Sequence, residues 1–517
     1  MGGELSRRTR QKLRREDGAI IKDWGGRFPI ALIYPNSYYL GMSNLGFQTI
    51  YGLLNAQGSI VCERFFWEGE GRPLALESGR PLDHFSLLAF SISYELDYFN
   101  VLQVLKSAGI PVLAQDRDER HPLVIAGGPC ITANPLPLSP FFDALAIGEA
   151  EAILPPFLDV LREGESGSRS ELFQAIASVP GLYVPALDAR TRVSRQWALD
   201  LDSFATTSVV LTPDTELGDM FLMEVARGCA RGCRFCMAGH HFKPLRTRSL
   251  ANLLAQGEAG LARGRRLGLV GASVSDHPDI GELATRLRAR GAQISVSSLR
   301  VDALPQGLLQ ALAESGTRMV TLAPEAGSEA LRRAIGKPIS TEVILRAIRR
   351  VGALGFPELK LYFLVGLPGE NDEDIWEIAR LILQGKKELE RLSAPTRIVA
   401  NINPFVPKAG TPFQALPMAQ LQVLKGRLRL ARSLLAKAGV DIRGEGASWS
   451  LIQGLLARGD ARLGLALARL AANKLSAWRK TLEGMDTSWL HRELALAEQP
   501  WAFLSAGSAK MPEEVLR

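Results

Sequence analysis

Short apolar runs alternate with helical patterns over the first third of the chain. Runs typical of buried strands read PIALIYP, HFSLLAFSIS, PLVIAGGP and FDALAIG. Apolar residues at spacings of three and four accompany them in GFQTIYGLLN, YFNVLQVLKSAG and AEAILPPFLDVL. This alternation is typical of a parallel, doubly wound sheet with helices on both faces. We therefore predict a Rossmann-like α/β domain over residues 21–165.

A second alternation begins after a looser, polar segment, residues 166–215, which we interpret as a linker. Six strand-like runs separated by helical segments follow it: FLMEVAR, LGLVGAS, ISVSSL, MVTLAPEA, LKLYFLVGLPG and IVANINPF. A complete eight-unit β/α barrel typically needs about 250 residues, which is more than this segment holds. Residues 216–418 are therefore predicted to form a partial (β/α)6 barrel of the TIM type, open on one side.

The two ends of the chain have different patterns. After residue 418 the sequence is rich in Arg, Leu and Ala, with apolar residues at helical spacing, which predicts a helical domain over 419–517. Residues 1–20 are a basic extension, in which six of the nine positions from 7 to 15 are Lys or Arg. We expect this extension to be solvated.

Composition limits the class of protein. The 517 residues are 46% hydrophobic and carry a net charge of +7, but the basic residues are scattered, which gives only weak support for an RNA partner. We find no apolar stretch of about 18 residues and no signal peptide, so we expect a cytoplasmic protein with no membrane partner. Five cysteines are too few for a disulfide framework in a chain of this length.

Three of the cysteines lie close together. Cys229, Cys233 and Cys236 form a C-x3-C-x2-C pattern directly after the first predicted barrel strand. A cubane iron–sulfur cluster normally takes four thiolates, so three from one loop leave one iron open to chelate a ligand. We expect the arginines of this segment to favour thiolate over thiol; they are Arg227, Arg231 and Arg234.

Two other readings of the cysteines stay open from the residues alone. His240 could complete a Cys3His zinc site, and the chain would then be a zinc-stabilised RNA-binding protein, a class different from an enzyme. A ferredoxin-like carrier would need a fourth thiolate, but Cys62 and Cys130 lie in the other predicted domain. Iron and sulfide in a brown protein would favour the cluster.

The segment CARGCRFC, with an aromatic residue before its third cysteine, resembles the cluster motif of the radical S-adenosylmethionine (SAM) superfamily. Membership implies a 4Fe-4S cluster that binds SAM and cleaves it to a 5′-deoxyadenosyl radical. It also implies an electron donor such as flavodoxin or ferredoxin. Turns after later barrel strands resemble the SAM-binding turns of the family. The residues so implied are Phe235, Gly271, Ala272, Ser273, Glu325, Gly327, Ser328 and Gly366.

The N-terminal domain adds a second resemblance. VIAGGPCITANPLPLSPFFDALAIGEAEAILPPFLDVL is similar to the corresponding stretch of cobalamin-binding domains that precede radical SAM barrels. The D-x-H-x-x-G motif, whose histidine ligates cobalt in many cobalamin proteins, is not found. A Rossmann-like domain that has lost its cofactor is the alternative. The residues implied to line the cobalamin crevice are Ser91, Ser93, Tyr94, Gly127, Gly128, Pro129, Gly148 and Glu149.

These resemblances imply a cobalamin-dependent radical SAM enzyme, and most of the chain resembles a family of such proteins without a known substrate. We expect methylation of an unactivated carbon; a cobalamin-assisted rearrangement or cyclisation is the alternative. A methylthiotransferase is disfavoured, because those enzymes carry three further cysteines upstream and this chain has two. The sequence assigns no general acid or base. We expect a small-molecule substrate rather than an RNA or a protein.

Overall fold

The computed structural model describes residues 10–163, 168–187 and 192–505. Part of the predicted basic extension therefore lies outside the described residues. Among the described residues, no helix combines the length and the apolar composition that crossing a membrane requires.

The N-terminal region is built on one six-stranded sheet with strand order β2-β1-β3-β4-β5-β6. All neighbouring strands are parallel except β5 and β6. The strands are β1 (Phe28–Tyr34), β2 (Ile60–Phe66), β3 (Leu87–Ser91), β4 (Leu123–Gly127), β5 (Ala144–Ala146) and β6 (Leu182–Tyr183). The helices are α1 (Tyr38–Gly41), α2 (Leu45–Ala56), α3 (Tyr98–Ala108), α4 (Pro129–Ala133), α5 (Ala150–Glu163) and α6 (Arg169–Ser178).

This sheet confirms the predicted Rossmann-like class, and its strand order locates the crevice. The order reverses between β1 and β3, which lie next to each other although β2 comes between them in the chain. In doubly wound folds, ligands bind outside the carboxyl ends of the strands at such a switch point. The segments that follow β1 and β3 are therefore the first place to look for a bound cofactor.

One edge strand, β2, was absent from the predicted pattern. Its sequence IVCERFF carries two charged residues in the middle, but both are buried. The Arg64 guanidinium lies 2.6 Å from carboxylate oxygens of both Glu16 and Glu77, and all three side chains are shielded from solvent. A buried charge held by opposite charges does not show in an apolar pattern, which is why the strand was missed.

The predicted linker is partly structured. Helix α6 and strand β6 lie within residues 166–215, and β6 extends the N-terminal sheet as its antiparallel edge. The N-terminal sheet therefore ends later in the chain than the predicted boundary at residue 165. A second short strand of this segment, β7 (Val193–Ser194), pairs with a strand near the end of the described chain.

The second region contains all six predicted barrel strands. They lie in two parallel sheets, ordered β12-β11-β8 and β13-β14-β15-β16, which a bridge between Leu299 and Leu322 links. The strands are β8 (Phe221–Glu224), β9 (Ala226–Arg227), β10 (Arg246–Thr247), β11 (Arg266–Val270), β12 (Gln293–Val296), β13 (Met319–Glu325), β14 (Glu358–Val365), β15 (Arg397–Pro404) and β16 (Asp441–Arg443). The helices are α7 (Leu250–Leu261), α8 (Ile280–Ala289), α9 (Gln306–Glu314), α10 (Glu329–Ala334), α11 (Thr341–Ala353) and α12 (Asp372–Arg391).

Strand β16 lies in the region predicted to be helical. Its three residues pair in parallel with β15 and add a seventh strand to the arc, and they are too few to give a recognisable alternation. Helices form most of the rest of this region, as predicted: α13 (Leu421–Ala436), α14 (Ala447–Arg458), α15 (Ala461–Ala468) and α16 (Leu475–Leu482). The final strand, β17 (Leu504–Ser505), pairs with β7.

A buried ion-pair network joins the two regions. The Glu149 carboxylate accepts two hydrogen bonds from Arg246, at 2.7 and 2.9 Å, and one from Arg227 at 2.9 Å. Arg227 also binds Glu151 and Glu224. Because these charges are removed from water, each depends on its partners for stabilisation.

A second contact joins loops at the carboxyl ends of strands in both regions. Glu95, which follows β3, pairs with Lys408 and accepts a hydrogen bond from Gln453 at 2.9 Å. The hydroxyl of Tyr94 lies 3.1 Å from a carboxylate oxygen of Glu445, which follows β16. The carboxyl end of the N-terminal sheet is thus held against the carboxyl end of the barrel sheet.

We predict that Glu149→Gln destabilises the protein by about 3 kcal/mol, because it leaves buried guanidinium groups without a compensating charge. Urea unfolding followed by tryptophan fluorescence would show a lower midpoint. Glu282→Gln is the matched control, since Glu282 forms an exposed pair with Arg286 on one helix, and its midpoint should not change. Equal midpoints for Glu149→Gln and the unchanged protein would contradict this role of the network.

Candidate functional site

A loop between β9 and β10 carries the three clustered cysteines, and we call residues 228–245 the cysteine loop. The two strands pair with Arg227 opposite Arg246, so both ends of the loop are held together. Gly228 starts the loop with φ +84°, and a Cβ atom there would collide with the carbonyl oxygen of Phe242. Only glycine tolerates both conditions.

The cysteines surround one cavity. Cys229 and Cys233 are buried, Cys236 is partly exposed, and all three are free thiols. Segments that follow β11, β12 and β13 complete the wall, which places the cavity at the carboxyl ends of the strands, where barrel enzymes carry out chemistry. The other lining residues include Phe235, Ala272, Ser273, Leu299, Arg300, Glu325 and Lys337.

The surroundings of Cys233 and Cys236 do not lower the pKa of these thiols, although the nearby arginines in the sequence suggested that they would. Burial raises the pKa of Cys233 and Cys236. Two of the three arginines expected to favour thiolate are engaged elsewhere, because Arg227 binds glutamates and Arg231 binds Asp276 at 2.7 Å. A bound metal would favour the thiolate form of the cysteines that ligate it.

The residues present fit an iron–sulfur cluster. Each thiolate of a cubane binds a different iron, so the ligands must stand around a shared space, as these three cysteines do. In the described ranges, no three His, Cys, Asp or Glu side chains converge closely enough to hold one metal ion. The ring nitrogen Nε2 of His240, the fourth ligand of the zinc alternative, lies 3.1 Å from the carbonyl oxygen of Cys233.

The structure divides the residues implied to bind SAM. Phe235, Ala272, Ser273 and Glu325 line the cysteine cavity, and Glu325 has the unusual φ of +71°. Gly271 lies beside this wall, where a Cβ atom would approach the carbonyl oxygen of Ala226 to 3.1 Å.

The other three implied residues have local structural roles. Gly327 packs against the backbone of α12, which leaves no room for a side chain. Ser328 caps α10 and donates a hydrogen bond to Asp374 at 2.6 Å. The amide of Gly366 donates to Glu370 at 2.6 Å. Gly327 and Ser328 thus contact the helices that follow their turn, and Gly366 contacts the residue that ends its own turn.

Lys337 is a cavity residue that the sequence reasoning missed. Its ammonium group is buried and lies 3.0 Å from a carboxylate oxygen of Glu325, and its charge opposes the raised pKa of Cys233. Arg300 adds a second cation to the wall and pairs with Asp302 at 2.8 Å. The signal was present, because Lys337 follows α10 in the segment IGKPIS next to the Glu325 turn.

A second cavity lies at the switch point of the N-terminal sheet, and we call it the crevice. Its lining comes from the segments that follow β1 and β3, as the strand order requires. The lining residues are Tyr34, Asn36, Leu40, Ser43, Asn44, Tyr94, Asp97 and Glu216. Most of them are neutral and polar, which suits hydrogen bonds to an amide-rich ligand such as the corrin of cobalamin.

Of the residues implied to contact cobalamin, Tyr94 lines the crevice. Ser93 lies at its margin and accepts a hydrogen bond from Asn44 at 3.1 Å. Ser91 is buried at the end of β3, opposite Gly127 in the sheet.

Asp97 is a crevice residue that the sequence reasoning missed. Burial raises the pKa of its carboxyl group to about 6, although Asn36 donates a hydrogen bond to it at 2.7 Å. Its position at the start of α3, two residues after Glu95, was visible in the sequence YELDYF. Nothing in that local pattern showed that Asp97 faces a cavity.

The glycine turn after β4 allows close approach of two segments. Gly128 has φ +112°, and a Cβ atom there would lie 2.5 Å from the carbonyl oxygen of Ile92. Pro129 is the first residue of α4. The turn therefore forms part of the floor beneath the segment that follows β3.

Gly148 and Glu149, which the resemblance implies to contact cobalamin, contact other parts of the protein. Gly148 has φ +134° and packs against the backbone of Gln196. Both carboxylate oxygens of Glu149 are used by Arg227 and Arg246. Glu149 thus contributes to the contact between the two regions, and Gly148 packs against the segment that follows β7.

Two known family models match the chain, one in each region. Residues 46–185 match the family model described as radical SAM proteins, N-terminal, and residues 223–382 match that of the radical SAM superfamily. An uncharacterised protein of Methanocaldococcus jannaschii is 31% identical over 441 residues, which are 84% of this chain and 89% of that protein. The ribosomal protein uS12 methylthiotransferase RimO of a Synechococcus strain is 26% identical over 234 residues, and this match spans only 47% of RimO.

Two solved structures share the architecture. One is the radical SAM methyltransferase TsrM from Kitasatospora setae with cobalamin and a 4Fe-4S cluster bound, at a TM-score of 0.51, 14% identity, and 75% and 74% of the two chains. The other is the cobalamin-dependent SAM radical enzyme OxsB with aqua-cobalamin and SAM bound, at a TM-score of 0.52 and 13% identity. It covers 90% of this chain and 71% of OxsB. At these identities, the likeness concerns the fold.

Relationship over nearly the whole length supports a family assignment better than a short motif does. The match to the archaeal protein extends over both regions, and the two family models cover five of the six strands of the N-terminal sheet and the cysteine loop. The residues that line the cysteine cavity lie within the residues that match the second model. The chain therefore belongs to the radical SAM superfamily.

Proposed function

We propose that the protein is a cobalamin-dependent radical SAM enzyme that methylates an unactivated carbon of a small-molecule substrate. The observation that carries this proposal is the contact between the carboxyl ends of the two sheets. Tyr94 and Glu95, at the edge of the crevice, bind Glu445 and Lys408, which follow barrel strands. A cofactor in the crevice would therefore lie close to a substrate at the barrel mouth.

The cofactors follow from the two cavities. Cys229, Cys233 and Cys236 would hold the 4Fe-4S cluster, and the crevice would hold cobalamin. When bound, the cluster would cleave one SAM to supply a carbon radical, and cobalamin would carry a methyl group given up by a second SAM, which leaves as S-adenosylhomocysteine. TsrM and OxsB share the architecture and support this assignment, because TsrM was solved with cobalamin and a 4Fe-4S cluster and OxsB with aqua-cobalamin and SAM.

The protein would contribute charge and exclusion of water. The Lys337 ammonium would bind the carboxylate of SAM, and Glu325 holds that ammonium in the cavity wall through their 3.0 Å contact. Apolar wall residues limit water access around the radical; they include Phe235, Ala272, Leu299 and Ala323. A low-dielectric wall also strengthens the Lys337 interaction.

The positions of the cysteines favour methyl transfer over methylthio transfer. RimO is a methylthiotransferase, but the two upstream cysteines here are buried in the N-terminal sheet region. Burial raises the pKa of both Cys62 and Cys130. Cys62 and Cys130 also pack in different hydrophobic clusters, so they do not surround a shared space as the loop cysteines do. One-electron chemistry needs a reductant, and we propose flavodoxin or ferredoxin as its source.

Anaerobic reconstitution with cobalamin, SAM and a flavodoxin reducing system tests the proposal. Methyl transfer predicts that S-adenosylhomocysteine accumulates together with 5′-deoxyadenosine, measured by liquid chromatography and mass spectrometry. Omitting cobalamin should abolish the S-adenosylhomocysteine. Formation of 5′-deoxyadenosine alone, with or without cobalamin, would argue against methyl transfer and favour a rearrangement or cyclisation.

Alanine substitution of any one of the three loop cysteines should remove most of the iron and sulfide, because the cluster has no substitute ligand nearby. Iron and sulfide analysis after reconstitution, with the visible absorption spectrum, measures this loss. Cys130→Ala is the matched control and should keep full iron content. Full iron content in Cys233→Ala would contradict the assigned ligands.

Lys337→Met should weaken SAM binding about tenfold, the scale expected for one charge-assisted hydrogen bond. Equilibrium dialysis of the reconstituted protein measures the affinity, and iron content should stay normal. Lys337→Arg should restore part of the affinity. Lys386→Met serves as control, since that ammonium binds the carbonyl of Ala438 outside the cavity. Unchanged affinity in Lys337→Met would refute the role.

A further inference from the structure

A third cavity, which we call the interdomain cavity, lies where the two regions and the C-terminal segment meet. Its walls come from α4, the residues that follow β5 and β7, the cysteine loop, the segment after β15 and the C-terminal segment 496–505, and its volume is about 280 Å3. None of the residues implied by the family resemblance lines it. Its polar lining residues are Thr132, Arg195, His240, His241, Gln414, Gln499 and Ser505.

The C-terminal segment closes this cavity through specific contacts. Strand β17 pairs with β7, and the indole nitrogen of Trp501 donates a hydrogen bond to Gln414 at 2.6 Å. The ring of Phe503 packs on that of Tyr183, with centroids 5.0 Å apart. Specific contacts therefore hold the segment that closes the cavity in place.

Arg195 is an unusual component of the wall. Its side chain is 5% exposed, yet the Nε and Nη1 atoms have no hydrogen-bond partner, and only Nη2 donates, to the carbonyl oxygen of Lys243. The nearest carboxylate oxygen, on Glu149, is 3.9 Å from Nη1 and already binds Arg246. Buried guanidinium donors without partners carry a substantial energetic cost.

The charge balance around Arg195 is also incomplete. The buried network contains four arginines and three glutamates, so one positive charge is left over. The members are Arg195, Arg227, Arg246, Arg248, Glu149, Glu151 and Glu224. Within the described part of the chain, no Asp or Glu side chain lines the interdomain cavity. Arg195 is the one member of this network that lines the cavity, so the surplus positive charge lies at the cavity wall.

We propose that the interdomain cavity binds an oxyanion group, a phosphate or a carboxylate, through the free donors of Arg195. Guanidinium groups bind these anions with two parallel N–H bonds, and Nε with one Nη is a pair that can do so. The hydroxyl of Thr132 and the amide of Gln499 supply further donors around the same space. This site is separate from the cysteine cavity and adds an anionic ligand to the proposed function.

Two molecules could carry the group. One is a free anionic small molecule, and the other is cobalamin itself, whose nucleotide tail contains a phosphate. The second source rests on the proposed function, because it needs cobalamin in the crevice. Cobinamide, which lacks the nucleotide and its phosphate, distinguishes the two.

Inorganic phosphate is the probe for the site. In the full-length protein, added phosphate should raise the thermal midpoint, and Arg195→Met should lose this response with at least about tenfold weaker phosphate binding by calorimetry. Arg458→Met is the matched control. Arg458 is also a buried arginine, but it binds backbone carbonyls and faces a different cavity. Its phosphate response should persist.

A second variant tests the site independently, in case Arg195→Met fails to fold. Gln499→Glu preserves shape and places a carboxylate on the cavity wall, so it should raise the midpoint without phosphate and remove the phosphate response. If neither the unchanged protein nor the Arg458 variant responds to phosphate, and Arg195→Met does not alter cobalamin binding, the proposal is wrong. A phosphate response that survives both Arg195→Met and Gln499→Glu also overturns it.

Measurements of cobalamin and cobinamide binding distinguish failure of this proposal from failure of the proposed function. If the nucleotide phosphate is the ligand, Arg195→Met weakens cobalamin binding at least about tenfold and leaves cobinamide binding unchanged. If a free molecule is the ligand, phosphate still stabilises protein that is saturated with cobalamin. Protein that binds phosphate through Arg195 but binds no cobalamin supports the anion site and contradicts the cobalamin-dependent function.

Discussion

The carboxylate of Glu149 fixes the position of the cysteine loop. Arg227 and Arg246 face each other across the two strands that start and end the loop, and both bind this one buried group. The N-terminal sheet therefore holds the loop at its base. Because the arginines cannot regain water without opening the contact, the relative position of the two regions and the shape of the cysteine cavity depend on each other.

Sequence pattern predicted most of the fold because burial is periodic along its strands. The turns named from the sequence lie at the ends of three barrel strands, β11, β13 and β14, and the three clustered cysteines lie in the loop after β9. The pattern missed a strand whose buried charged residues pair with residues that lie far away in the sequence. Strand β2 was missed because its charged residues, Glu63 and Arg64, are typical of a solvent-exposed segment. The sequence does not show that Arg64 pairs with Glu16 and Glu77 in the interior.

The candidate site shows the same limit. Glu149 was implied to be a cofactor residue because its local sequence resembles a known turn, but its partners lie 78 and 97 residues further along the chain. Lys337 and Asp97 were missed for the opposite reason, since each follows an ordinary helix or turn and only the fold turns it toward a cavity. Local similarity predicts the backbone well and the partners of a side chain poorly.

The pairing of β17 with β7 has a consequence for the order in which the protein matures. Domains form from the N-terminus during synthesis, so the first sheet and the barrel precede the final strand. The last described residues, 504–505, complete the wall of the interdomain cavity. Until they leave the ribosome, that space is open to the surrounding solution, and a ligand can enter it without displacing any part of the protein.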